Sequence, residues 1–121
     1  MKYEKIIEIV CKDFEISPET LQVKIRRREI MQPRQICHFF VKQFTNLTVQ
    51  RIGDLIGKKD HATVLHSCKT VLNLMETDKK YYARVQGIER QLMIEALKDI
   101  QPKLSMSTYP ERKAMILNLT N

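Results

Sequence analysis

The run Lys58-Lys59-Asp60-His61-Ala62-Thr63 puts two cations, an acid, an imidazole, a methyl and a hydroxyl in six consecutive positions. Such a set is ill suited to making or breaking bonds and well suited to gripping a polyanion and reading polar edges on it. Lysines just ahead of a helix attract phosphate, and the unpaired backbone N–H groups of the helix start favour the same anion. An acid among these cations is repelled by phosphate and needs another role: capping the helix, accepting a hydrogen bond from a cytosine amino group, or both. His61 can donate to a purine or to a thymine oxygen, Ala62 offers a methyl to the methyl of thymine, and Thr63 can reach a base or a phosphate. The plainer reading makes Lys58 and Lys59 solvated turn residues and Asp60 a cap alone.

Other chemistries fit poorly. Gly53-Asp54-Leu55-Ile56-Gly57-Lys58-Lys59 has a superficial likeness to a phosphate-binding loop, but three residues rather than four separate its glycines and Lys59 stands where Ser or Thr is required. Cys11, Cys37 and Cys68 are odd in number and widely spaced, with no CxxC pair, so they read as small buried hydrophobes rather than as a zinc or redox site. His38 has no second ligand at metal-binding spacing and reads as a partly buried histidine; His66, inside a helix, reads as a packing residue. No serine, cysteine or metal grouping suggests catalysis. The expectation is a protein that is not an enzyme and uses no cofactor.

The elements that position these residues follow helical spacing throughout. Tyr3, Ile6, Ile7, Val10 and Phe14 mark one face of a first helix, and Ser17-Pro18-Glu19 reads as a cap opening a short second one. Lys24 to Glu29 is polar and predicted as a loop. Pro33 then falls in the first turn of a third helix that buries Ile36, Cys37, Phe40, Val41 and Phe44. Thr48 caps a short helix carrying Val49, Ile52, Leu55 and Ile56, which Gly57 ends. Asp60 caps the next, with apolar positions Val64, Leu65, Cys68, Val71, Leu72 and Met75. Two helices joined through a glycine-bearing turn form a helix-turn-helix candidate. Asp78 caps a long helix that Pro102 ends at the latest, and a last short helix is predicted from Pro110 to about Leu119.

The 121-residue chain is sized for one domain. No apolar run is long enough for a bilayer, and the start lacks the pattern of a secretory signal, so a cytoplasmic protein with no membrane partner is expected. The net charge of +7 is unevenly placed: ten basic residues and three acidic ones lie between Lys24 and Lys69, while the rest of the chain carries eleven of each. That concentration points to a polyanionic partner.

The stretch IGDLIGKKDHATVLHSCKTV, Ile52 to Val71, resembles the signature of the C-terminal DNA-binding domain of the bacterial replication initiator DnaA, in which an acid–histidine–threonine–threonine group opens the recognition helix. Arg26-Arg27-Arg28 and Gln32-Pro33-Arg34-Gln35 resemble the family's basic loop and the Pro-Arg-Gln start of its following helix, at fitting spacing. The likeness runs from about Ile6 to Arg90. It implies an all-α helix-turn-helix bundle of the DnaA C-terminal type (Trp-repressor-like) over residues 1–90, with 91–121 a helical extension packed on the same domain.

The resemblance further implies double-stranded DNA as partner, no bound nucleotide, and a part in replication initiation or its regulation without ATPase activity, close to the nucleoid. It puts Arg26 in the minor groove, Arg34, Gln35 and Lys59 at or near phosphates, Asp60 and His61 on bases, and Thr63 on the second threonine of the signature. Thr45 falls where the family has a further DNA-contacting threonine. Ala62 replaces the usual threonine, keeping the methyl and losing the hydroxyl, which bears on the target sequence. Lys59 in place of arginine keeps charge and loses bidentate geometry. The alternative is a protein–protein adaptor or mobile-element regulator with the same fold and only non-specific DNA binding. Met1 and the segment from Gln91 favour a free-standing protein over a fragment. Leu92, Met93, Ile94, Leu97 and Ile100 are expected either to pack back on the domain or to form a homodimer interface.

Overall fold

The structure, a computed structural model, describes residues 1–24 and 26–104, the last six of these as backbone only. Every regular element among them is helical: α1 (Tyr3–Asp13), a 3-10 turn (Pro18–Gln22), α2 (Arg28–Phe44), α3 (Val49–Leu55), α4 (His61–Thr77) and α5 (Lys79–Leu104). Helix α2 is the element that α1, the 3-10 turn, α3 and α4 all pack against. The apolar faces predicted for α1 and α2 meet there, with Ile6, Val10, Ile36 and Phe40 fully buried. Cys11 and Cys37 lie in this core and Cys68 is half-buried.

Local signals place the helix ends. The Thr48 hydroxyl accepts from the Arg51 N–H at 3.2 Å, opening α3. Asp78, the single residue between α4 and α5, accepts from the Lys80 and Tyr81 N–H groups at 3.0 and 3.1 Å. These are the expected caps. Ser17 does not cap through its side chain; its hydroxyl pairs with that of Thr20 at 2.9 Å. The second element is accordingly a 3-10 turn, and its fully buried Leu21 ties it to the core.

Three helix expectations need correction. Helix α2 begins at Arg28, so Pro33 lies inside it rather than in its first turn, and the predicted loop ends two residues early. Burial of Ile30 anchors the added turn, and the proline removes only the N–H that would have bonded the Glu29 carbonyl. Helix α5 passes through Pro102 to Leu104. In α4, the apolar positions expected from sequence do not all pack: Leu65 and Leu72 are 45% and 51% exposed. The face that packs is Val64, Ser67 and Val71, because Ser67 is drawn inward to a buried histidine and the helix rolls with it. The helix expected at 110–119 lies outside the described residues.

Helix α5 carries Leu92 into the core and continues past residue 90 without a break. Arg84 holds it to the end of α1, pairing with Asp13 at 2.9 Å and lying 3.7 Å over the Phe14 ring. No helix among the described residues is long and apolar enough to cross a membrane.

Candidate nucleic-acid interface

The turn between α3 and α4 needs two successive residues in the left-handed region, Gly57 at φ +81° and Lys58 at φ +51°. Only glycine takes the first freely, which is why the sequence has it there. The turn's backbone is then tied down from outside. The Gln22 side chain donates to the Leu55 carbonyl at 2.8 Å and accepts from the Gly57 N–H at 3.0 Å. Between them, the Ile56 carbonyl accepts from His38 Nε2 at 2.9 Å. Three consecutive residues of the turn are thus fixed by two side chains from earlier elements, and these fixings set the direction in which α4 leaves.

His38 is fully buried and its other nitrogen lies 2.9 Å from the Ser67 hydroxyl. A carbonyl only accepts, so Nε2 carries the proton, and in the neutral ring Nδ1 accepts from Ser67. Burial is the main force lowering the His38 pKa; Arg34 and Lys59 add to it and the Ile56 carbonyl opposes it. The ring is a neutral pin joining α2, the turn and the middle of α4.

At the start of α4, Asp60 accepts from the Thr63 N–H at 2.8 Å. The Thr63 hydroxyl, its backbone N–H and the neighbouring His61 hold this carboxyl below the usual carboxylate range. Asp60→Ala is therefore expected to lower the unfolding midpoint in urea, while Asp60→Asn, which keeps the capping oxygen and loses only the charge, lowers it less. The cap's contribution to stability should be present above pH 3.8 and fade as pH falls through the lower folded value. Equal loss in both variants would show that charge rather than capping holds the turn.

The expected site residues fall into three groups. Arg26, Gln35, Lys59 and Thr63 line one groove of about 200 Å³, together with Met31 and His66, and its floor is Arg34, His38 and Ser67. Lys58, Asp60, His61 and Ala62 are exposed at the leading end of α4 beside it. Two residues stand apart. Arg34 is only 5% exposed, with Nε donating to the Leu21 carbonyl at 2.9 Å and Nη2 to that of Val23, so its guanidinium is spent largely on the fold. The Thr45 hydroxyl, at the far end of α2, donates to the Val41 carbonyl at 2.6 Å and accepts from the Leu47 N–H. His66, read from sequence as a packing residue, is exposed on the groove wall. Its spacing of three from Thr63 and four from Ala62 was the available signal.

A short helix, a glycine turn and a second helix whose polar first turn projects from a basic surface define a helix-turn-helix domain. Residues 3–71 match the family described as the bacterial dnaA protein helix-turn-helix, and the chain belongs to that family. It is 45% identical over 89 residues to the chromosomal replication initiator protein DnaA of Bacteroides thetaiotaomicron, covering 74% of this chain and 19% of that protein. Over the same length it is 42% identical to DnaA of Bacteroides fragilis, with the same coverage. It is 37% identical over 93 residues to DnaA of a Synechococcus strain, covering 77% of this chain and 20% of the other. The chain therefore spans about a fifth of the length of these relatives.

Proposed function

We propose that this chain binds double-stranded DNA sequence-specifically, at a site like the DnaA box, and acts in replication initiation or its control without hydrolysing ATP itself. The observation that carries the reading is the convergence of Arg26, Gln35, Lys59, Thr63 and His66, from three separated stretches of chain, on one groove beside the open first turn of α4. Lys58, Lys59 and Gln35 hold phosphates there. Asp60, His61, Ala62 and Thr63 face base edges in the major groove, and Arg26 reaches the adjacent minor groove. Arg34 serves this surface from below, by supporting the turn.

Anisotropy titration of a DnaA-box duplex and a scrambled duplex over a range of salt tests it. The box duplex should bind more tightly, both affinities should fall steeply with salt at a log–log slope of about −0.9 per neutralised phosphate, and Lys59→Glu should weaken both alike, by about tenfold. Absence of binding at low salt would remove the reading, and equal affinity for the two duplexes would leave only a non-specific binder.

A second reading concerns α5, where Ile94 is 56% exposed beside Met93 and Leu97 in an open groove. Pairing of two copies through this face is the form an adaptor role would take, and sedimentation of the wild type against Ile94→Glu distinguishes a dimer from a monomer.

A further inference from the structure

The face of α4 opposite its packed side runs through Ala62, Leu65 and Lys69, at spacings of three and four, with His61 and His66 on either flank. All five are exposed. Four of them suit a duplex without further argument: a small methyl, two imidazoles and a cation. Leu65 is the exception. It is a leucine 45% open to water in the middle of a polar and basic face, one turn beyond His61, while the core of the domain is closed behind it by Val64 and Val71. Solitary exposed leucines are common and need no cause. This one stands where a helix lying in a major groove would meet base edges next after its first turn, since four residues advance about 6 Å along the axis.

The geometry points to Leu65 as a specificity-determining residue that packs against the 5-methyl group of a thymine. This inference rests on the DNA-binding reading above. The thymine methyl is the one apolar group that base pairs present in the major groove, so an apolar side chain at that depth has a single chemical partner there. Lys69, a further turn along, returns the face to cationic character, as contact with the bounding phosphates requires. Leu72, 51% exposed, belongs to a different place. It shares a shallow depression with Phe39, Lys42, Gln43 and Cys68, and it stands about 16 Å from the start of the helix, beyond the reach of the groove floor.

The test uses the DnaA-box duplex with each thymine replaced in turn by deoxyuridine, which deletes the methyl and nothing else. Wild-type protein, Leu65→Ala and Leu72→Ala are compared by competition anisotropy, with thermal melts to verify that the exposed-site variants stay folded. At one thymine the wild type and Leu72→Ala should lose about fourfold in affinity, the effect of withdrawing one methyl from an apolar contact. Leu65→Ala should be indifferent to that same replacement while keeping any penalty at a thymine that meets Ala62. The inference is overturned if no replacement affects the wild type, or if every penalty persists unchanged in Leu65→Ala. A wild type that fails to distinguish the unmodified box from a scrambled duplex overturns the reading beneath it instead, and the inference with it.

Discussion

Replacing Gly53 by alanine should destabilise the domain by about 3 kcal/mol or more, at the upper end of the range for overpacking, because the obstruction is backbone rather than a movable side chain. Gly53 lies in α3, where the chain returning toward α4 crosses directly over it. The Lys59 N–H donates to the Gly53 carbonyl at 2.8 Å. A methyl at Gly53 would fall onto the Lys59 carbonyl oxygen, with the carbonyl carbon at 2.9 Å and the Asp60 carbonyl oxygen at 3.3 Å. The turn would have to lift by more than an ångström, carrying Lys59 and Asp60 with it. Urea unfolding checks the stability, and any Gly53→Ala protein that remains folded should lose discrimination between duplexes before it loses affinity at low salt. Wild-type stability in this variant would mean that α3 and the turn are not packed as described.

Arg34 should behave as a residue of the fold. Its planar guanidinium bridges the carbonyls of Leu21 and Val23, and its stem fills the space beside Gly57, where a methyl would come within 2.8 Å of Arg34 Nε. Arg34→Ala leaves two carbonyls without their charged donor and opens a void under the turn, which should cost about 3 kcal/mol. Arg34→Glu adds a buried carboxylate facing those carbonyls and is expected to leave little folded protein. Lys59→Glu, made at a half-buried side chain on the groove wall that no hydrogen bond or ion pair ties to the fold, should shift the unfolding curve far less. Parallel urea titrations separate the two. Equal, small effects on stability with equal loss of DNA binding would return Arg34 to the phosphate-contacting set that the family resemblance suggests.

The contrast between Arg34 and Lys59 marks what was legible in the sequence. The starts of α3, α4 and α5 and the end of α3 could be read because Thr48, Asp60, Asp78 and Gly57 act on the backbone within three residues of themselves. The helix-turn-helix and its leading residues followed from those signals. What determines the fate of Arg34 is the segment Leu21 to Val23 passing over α2, a contact between residues thirteen and eleven positions apart that no local pattern reports. The same holds for α4. Counting apolar residues centred its buried face between Val64 and Leu65, and the pairing of Ser67 with His38, twenty-nine residues away, turned that face aside. One polar contact thus moved Leu65 into solvent and His66 onto the groove wall. Pro33 misled for a related reason, since the burial of Ile30 extends α2 back across a residue that ordinarily opens a helix.

The central claim is that the first turn of α4 reads base sequence, and selection from a random duplex library tests it most directly. Wild-type protein should enrich a single motif related to the DnaA box. His61→Ala should relax that motif at one position, with a loss of about 1–3 kcal/mol on the preferred site and almost none on non-specific duplex. If His61→Ala enriches the same motif as the wild type with undiminished preference, then α4 is not the reading element. The basic surface from Lys24 to Lys69 would then be an electrostatic patch alone.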